Sequence, residues 1–417
     1  MRTRYSTEKD GRPVKKAIVY TQNEHGINFS DVDTEAVTIV EQLRANGYET
    51  YIVGGAVRDL ILGKKPKDFD IVSAANPTRI KKIFHNARII GHRFRLVHVY
   101  FGSKIFEVST FRSLKDGLSG NTFGTIEEDV LRRDFTLNAL FYDPLTQVVV
   151  DYVGGMQDIQ KKNIRPIIPL SHIFNDDPVR MIRAVKYGAT TGFKLSLPLK
   201  WKIKKQSSLL TGISPSRLTE EIFKIIHSSY AAQIVENLES LGLYAYLQPK
   251  ASHMMKEKRD FREQYLNGLG TLNKEGFKKL PGATLAALIR DYLEENTRWE
   301  GDSENYKNTF MTARGFVLPM NPPRAELDRA LRLIFKEHGI AIKKSRLLDR
   351  EKPLFSGKKV IFMVQNQDEP RVSKGGPASK SKKHRPRHRR KEGQFREKDA
   401  ELPTKDMSEQ GRGEGLS

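Results

Sequence analysis

The stretch Tyr51-Ile52-Val53-Gly54-Gly55-Ala56-Val57-Arg58-Asp59, with Lys67-Asp68-Phe69-Asp70-Ile71-Val72 just after it, decides how the rest of the chain is read. Tyr51 to Val53 are apolar and β-favouring, which predicts a short buried strand. Gly54 and Gly55 end it and allow a close backbone approach. Ala56 to Leu62 carry helical spacing, and Gly63 stops the helix. Asp68 and Asp70 lie two apart in a second strand-like run, where i and i+2 share one face. Two carboxylates side by side raise each other's pKa unless a cation stands between them. A divalent metal, Mg²⁺ in the first place, satisfies the pair and leaves positions for phosphate oxygens. A phosphate-cradling turn ahead of a paired-Asp metal site points to nucleotide-using phosphoryl or nucleotidyl transfer. The plainer readings are an ordinary turn and a solvated Asp-x-Asp loop.

Around that stretch, 417 residues are enough for two or three domains. Hydrophobic content of 38% fits a globular body with one polar tail. The absence of cysteine excludes a disulfide framework and a thiolate zinc site. No apolar run is long enough for a membrane span, and Met1 to Tyr20 lack an apolar signal core, so a cytoplasmic protein without membrane partners is expected. The net charge of +22 points to a polyanion partner, nucleic acid before membrane. Nothing in the sequence names a protein partner.

The expected fold class is α+β. Residues 1–32 read as an irregular segment. Residues 33–160 read as a head with a mixed β-sheet, because strand and helix patterns alternate there. Its helices are expected at Ala36–Leu43, Pro77–Phe84 and Glu127–Arg133, its strands at Ala87–Ile90, Leu96–Phe101, Ile105–Phe111 and Val148–Val153. Arg112–Thr125 reads as a loop. After Pro169 the pattern becomes helical, giving a neck over residues 161–230 and a body over 231–364. Met181, Ile182, Val185 and Ala189 form one apolar face, and Leu218, Ile222, Ile225 and Ile226 another. Residues 365–417 are too polar to offset their chain entropy and read as a disordered basic tail.

Four further constellations carry chemistry. Glu107 lies on the predicted strand Ile105–Phe111 and is either a third metal-site carboxylate or an exposed edge residue; the first reading holds if that strand pairs beside Asp68 and Asp70. Arg132-Arg133-Asp134 sets guanidinium forks and a carboxylate beside an apolar run, suited to phosphate and ribose or to a helix-end ion cluster. Asp177, Arg180 and Arg183 recur every three residues on one predicted helical face. An acceptor beside guanidinium donors fits the pairing edge of adenine or cytosine and rejects guanine and uracil; the plainer reading is an intrahelical ion pair. Lys380, Lys382, Lys383, Arg385, Arg387, Arg389, Arg390 and Lys391 make a run without acids suited to RNA phosphates or to solvent alone; removing those eight charges from +22 still leaves +14.

These motifs, in this order over residues 35 to 230, resemble the class II nucleotidyltransferases of the DNA polymerase beta superfamily, which include bacterial poly(A) polymerases and CCA-adding enzymes. The resemblance implies a polymerase-beta-like nucleotidyltransferase head followed by an all-α neck and body. It implies that Asp68 and Asp70 bind two catalytic Mg²⁺ ions, with Mn²⁺ as the alternative, and that Glu107 or Asp134 completes the acidic set. Gly54, Gly55 and Arg58 are then the triphosphate residues, Arg133 and Asp134 the ribose residues, and Asp177, Arg180 and Arg183 the base readers. Gly91 to Val99 and the basic C-terminus are similar to the poly(A) polymerase branch, with His92 standing where Arg or Lys is expected. The implied activity is template-independent addition of AMP from ATP to RNA 3′ ends, in mRNA processing and RNA decay. The alternatives are a tRNA CCA-adding enzyme and, in another class, a non-catalytic RNA-binding adaptor.

Overall fold

Thr50–Val53, buried along its whole length, is the middle strand of a nine-stranded sheet. The computed structural model describes residues 2–7, 13–91, 96–113, 115, 122–272 and 282–342. All belong to the first of two compact units, Met1–Arg350. The head runs β1 (Arg2–Thr7), β2 (Pro13–Tyr20), α1 (Gln22–His25), α2 (Thr34–Ala45), β3 (Thr50–Val53), α3 (Gly55–Ile61), β4 (Asp70–Ser73), α4 (Pro77–Ile83) and β5 (Ala87–Ile90). It continues through β6 (Leu96–Phe101), β7 (Lys104–Thr110), α5 (Ile126–Arg132), β8 (Leu140–Asp143), β9 (Val148–Asp151) and α6 (Gly155–Gln160). The strand order is β1-β2-β9-β8-β3-β4-β7-β6-β5. β4 and β7 run parallel and the other neighbours antiparallel, so the sheet is mixed as expected.

Both faces of this sheet are covered. Ile52, Ile71 and Val108 pack into the main core, with Ile39, Val40 and Leu43 of α2. Burying each of these side chains contributes roughly 1.5–3 kcal/mol. α2 starts where the Asp33 side chain accepts a hydrogen bond from the Glu35 N–H. Tyr51, Val53, Val72 and Phe111 face a second, smaller cluster with Ile126 and Val130 of α5. By strand alternation Asp70 and Glu107 belong to this second face. The end of β9 is anchored by Asp151, whose carboxylate accepts four main-chain N–H groups, from Val153, Gly154, Gly155 and Met156, at 2.8–3.0 Å. Gly155 must be glycine there, since a Cβ would come within 2.3 Å of the Thr136 carbonyl oxygen.

Four expectations need correction. The first 32 residues are not irregular: β1 and β2 extend the sheet, and Ile18 pairs with Asp151 of β9. Ala17 packs into the smaller cluster while Ile18 and Tyr20 pack into the main core, so β2 lacks the alternation that marks a half-exposed strand. β8 was hidden in the apolar run after Asp134. Asp68 lies before β4 rather than in it, because β3 ends at Val53, the partner of Asp70, and then turns away at Gly54. The helical region also holds one short parallel pair, β10 (Asn163–Ile164) with β11 (Lys194–Leu195).

The neck and body follow the expected helical pattern: α7 (Ile173–Asp176), α8 (Val179–Thr191), α9 (Leu197–Gln206), α10 (Pro215–Ile226), α11 (Ala231–Ser240) and α12 (Tyr244–Leu247). They are followed by α13 (Pro249–Glu257), α14 (Arg259–Thr271), α15 (Ala283–Asn296), α16 (Ser303–Phe316) and α17 (Arg324–Glu337). The apolar faces read for α8 and α10 are the buried ones. Among the described residues no helix is long and apolar enough to cross a membrane. His92 to Arg95 and the tail cations Lys380 to Lys391 lie outside the described residues.

Candidate active site

The β3–β4 register brings the glycine turn to the acid. Val53 pairs with Asp70, and Gly54 follows Val53 directly. A Cβ on Gly54 would stand 3.8 Å from Asp70 Oδ2 and 3.8 Å from Arg133 Nη1. Gly54 has φ 73° and ψ −131°, a conformation reserved for glycine. The parallel pairing sets Ile71 against Val108, so Glu107 lies beside Asp70, the condition its sequence reading required. The Asp70 carboxyl is open to solvent through a cleft yet ringed by protein, and it is pushed up to about 6. Burial is the main cause, the charges of Glu107 and then Asp68 add to it, and Arg133 pulls the other way. Across the sheet, His98 Nε2 stands 3.5 Å from Glu107 Oε1.

The cleft has a volume of about 870 Å³ and runs from these acids along α5 to α8 and α10. Among the described residues eleven Lys or Arg side chains and eight carboxylates line it, a surplus of positive charge suited to a polyanion. Arg58 donates to Asp59 Oδ1 at 2.7 and 2.9 Å and to Asn138 Oδ1 at 2.8 Å, and lies over the Tyr187 ring at 5.4 Å. Arg133 donates to Asp129 Oδ2 at 3.0 and 3.2 Å and lies over Phe141 at 5.0 Å. Arg133 and Asp134 therefore diverge despite being adjacent. Asp134 accepts from the Asn138 amide at 3.3 Å and stands 3.9 Å from Arg183 Nη1. Of the two acids left open by sequence, Glu107 is the one beside Asp70, and Asp134 faces the neck.

Asp177, Arg180 and Arg183 all line the cleft, but not as one helical face. Asp177 sits in the break between α7 and α8, and its Oδ2 accepts from Arg217 of α10 at 2.7 Å. Arg180 is buried and donates to the main-chain carbonyls of Ile173 at 3.3 Å and Arg132 at 3.2 Å. Burial lowers its pKa against the attraction of Asp177 and Asp134, and burial likewise lowers Arg132, with Arg112 and Arg180 adding repulsion.

Behind them, buried Glu221 is shared by three cations: Arg183 at 3.5 Å, Lys186 at 3.5 Å and Lys224 at 3.1 Å. Burial opposes its charge, but Lys186, Arg183 and Lys224 together hold its carboxyl below the usual range. Lys186 is lowered too, by burial first, with Lys224 and Arg183 adding repulsion. The two directions agree once one carboxylate serves three cations: the acid is overcompensated and Lys186 undercompensated, while Arg183 is raised against burial because Tyr187, Asp134 and Asp177 face it as well as Glu221.

Asp129, Asn138, Tyr187, Lys186, Glu221 and Arg217 escaped the sequence reading. A signal existed for Asp129 alone, four residues before Arg133 on a predicted helix.

Among the described residues no group of three or more acidic or imidazole side chains forms a ready cation cage. The donor set still fits a hard divalent ion. Hard cations take carboxylate oxygen, and Mg²⁺ is commonly held by one or two carboxylates plus substrate phosphates. Burial is the main cause of the rise at Asp70, and the negative charge of Glu107 and Asp68 that adds to it is what such an ion relieves.

Comparison with known proteins agrees with this geometry. Residues 50–165 match a family model described as the "Poly A polymerase head domain", and residues 192–255 one described as "Probable RNA and SrmB- binding site of polymerase A". The chain is 40% identical to Poly(A) polymerase I of Salmonella typhi, over 58% of this chain and 56% of that one. It is 38% identical to Poly(A) polymerase I of Escherichia coli O157:H7, over 75% of this chain and 71% of the other. It is 36% identical to the CCA-adding enzyme of Geobacillus stearothermophilus, over 51% and 54%. The crystal structure of Bacillus stearothermophilus CCA-adding enzyme in complex with CTP superposes with a TM-score of 0.52 at 28% identity, covering 74% of this chain and 83% of that one.

Fold and cleft together place the chain in the nucleotidyltransferase class. The match reaches little more than half of the Salmonella relative but over two thirds of the Escherichia one. Within that class the chain belongs to the poly(A) polymerase I family, with CCA-adding enzymes as related members.

Proposed function

We propose that the protein adds AMP from ATP to RNA 3′ ends without a template, in the cytoplasm, as part of mRNA processing and RNA decay. The observation that carries this reading is the row formed by Asp70 and Glu107 on adjacent parallel strands, facing the Gly54 turn and Arg133. Asp68 and Asp70, with Glu107 beside them, would hold divalent ions, Mg²⁺ or Mn²⁺. Such ions supply positive charge to triphosphate oxygens and lower the pKa of an attacking hydroxyl. In the reaction the RNA 3′-oxygen forms a bond to the α-phosphorus of ATP, and pyrophosphate leaves.

The chain's own share is positioning and charge neutralisation. The Gly54–Gly55 turn brings main chain close to the phosphates without a Cβ. Arg58 and Arg133 are held in place by Asp59, Asn138 and Asp129, so their forks need little reordering when phosphates arrive. Asn138 and Asp134 link Arg58 to Arg183 and so tie the triphosphate end to the base end. At the base end, Asp177 offers an acceptor and Arg180 and Arg183 offer donors. That pattern admits adenine and cytosine.

The CCA-adding reading is favoured by the 36% identity to one CCA-adding enzyme and the superposition on another in complex with CTP. Incorporation into a generic RNA and into a truncated tRNA, with ATP alone or ATP plus CTP, separates the two. Long A tracts on generic RNA are expected; CCA restricted to tRNA would overturn the assignment.

A further inference from the structure

The neck carries an exposed surface that the cleft chemistry does not use. α9 reads Leu197-Pro198-Leu199-Lys200-Trp201-Lys202-Ile203-Lys204-Lys205-Gln206. Its apolar anchors Leu199 and Ile203 are fully buried. On the opposite side Leu197 is 80% exposed and Trp201 61% exposed, an unusual placement for an indole. Leu197, Trp201 and Lys205 recur every four residues and so form one stripe. Lys205 Nζ lies 4.8 Å from the Trp201 ring centroid, covering one face of the indole. Lys200 and Lys204 of the same helix, and Lys194 just before it in the chain, are also exposed. No Asp or Glu occurs between Asp177 and Glu220, so no carboxylate from this segment answers these lysines. The end of α9 also bonds to α7, since Gln206 Nε2 donates to Asn175 Oδ1 at 2.8 Å, and Asn175 is two residues before the cleft residue Asp177.

We propose that α9 is a stacking platform for single-stranded RNA, in which the open face of Trp201 takes an unpaired base and Lys200, Lys204 and Lys205 hold the flanking phosphates. The inference rests on the reading of the chain as an enzyme acting on RNA, and it deepens the broad RNA-binding match over residues 192–255 to one side chain. Stacking on an exposed aromatic ring is tolerant of sequence, as every base has a π-face, and a basic surround tracks the backbone. A duplex has its bases already stacked and offers this ring only its ends. A membrane surface fits less well, because interfacial helices bury a broad apolar face and here only Leu197 and Trp201 are free to insert. The Gln206–Asn175 contact ties α9 to the segment just before Asp177, and on this proposal the platform takes nucleotides upstream of the 3′ end.

The chain has two tryptophans, so Trp299→Phe leaves Trp201 as the single reporter. Titration of that full-length protein with a short oligo(A) should quench its fluorescence on binding. In the otherwise native chain, Trp201→Ala should weaken oligo(A) binding about 5- to 100-fold, and Trp201→Phe should recover most of the loss. Replacing Lys200, Lys204 and Lys205 by Gln should flatten the log–log salt slope by about 2. Unchanged fluorescence at saturating RNA overturns the proposal, as does equal quenching by a blunt RNA duplex. A blue shift on phosphatidylglycerol vesicles without quenching by RNA also overturns it. The same titration on Asp70→Asn separates the two readings: quenching is expected even where no nucleotide is incorporated.

Discussion

Replacing Glu221 by Gln is expected to destabilise the protein by about 3–5 kcal/mol, the usual penalty when one partner of a buried ion pair is removed. The structure says where that loss arises. Lys224 is half exposed, so its contact contributes no more than about 1 kcal/mol. Lys186 is largely buried and Arg183 about two thirds buried, each 3.5 Å from the Glu221 carboxylate. At that separation and an effective dielectric of about 20, one pair interacts by about 4–5 kcal/mol before desolvation and relaxation are counted. Burial already disfavours the charge on Lys186, and this limits the loss. For a unit running from Met1 to Arg350 the change corresponds to a fall of about 4–7 °C in Tm.

The pH dependence has a definite sign. The folded pKa of Glu221 lies below its unfolded value, so its stabilisation is fully present above the ordinary carboxylate range. It is lost as pH falls through the lowered folded value, and the gap between wild type and variant narrows in acid. Thermal unfolding of wild type, Glu221→Gln, Lys186→Met and the double variant, near neutral and acidic pH, reads all of this. The double variant should regain at least about 2 kcal/mol over Glu221→Gln, since it removes the stranded ammonium. The KM for ATP should rise in the single variant, because Arg183 loses a positioning partner in the cleft. An unchanged Tm, or effects that simply add, would refute the shared-carboxylate account.

Two further outcomes follow from the same geometry and charge pattern. Asp68→Ala or Asp70→Ala should cost at least ~10³-fold in turnover, while Tm is kept; undiminished turnover in either variant would end the acidic-site assignment. Deleting residues 370–417 should weaken RNA binding and flatten the salt slope by up to about 6, from eight cations at roughly 0.7 each. An unaltered slope would mean that Lys380 to Lys391 do not hold RNA.

Much of the head was readable because its signals are local. Asp33 caps α2, Pro77 opens α4, and Gly54 and Gly63 bracket α3, each through main-chain geometry set by neighbours in the chain. β2 was not readable, because a strand packed on both faces loses the alternation that marks a strand. Glu220 and Glu221 look alike in sequence, yet only the second is buried, and that depends on how α10 turns toward α8. Asp177 and Arg180 both line the cleft, but the partner of Asp177 is Arg217, forty residues further on, and Arg180 reaches main-chain carbonyls instead.

By itself the sequence determined the class of chemistry, through short motifs whose order and residue types restrict what they can bind. Tertiary structure alone decided that Glu107 rather than Asp134 stands beside Asp70, that Asp129 rather than Asp134 holds Arg133, and that one glutamate serves three cations. The physical reason is range: periodicity and capping act between chain neighbours, whereas charge compensation acts between whatever groups folding brings within a few ångströms.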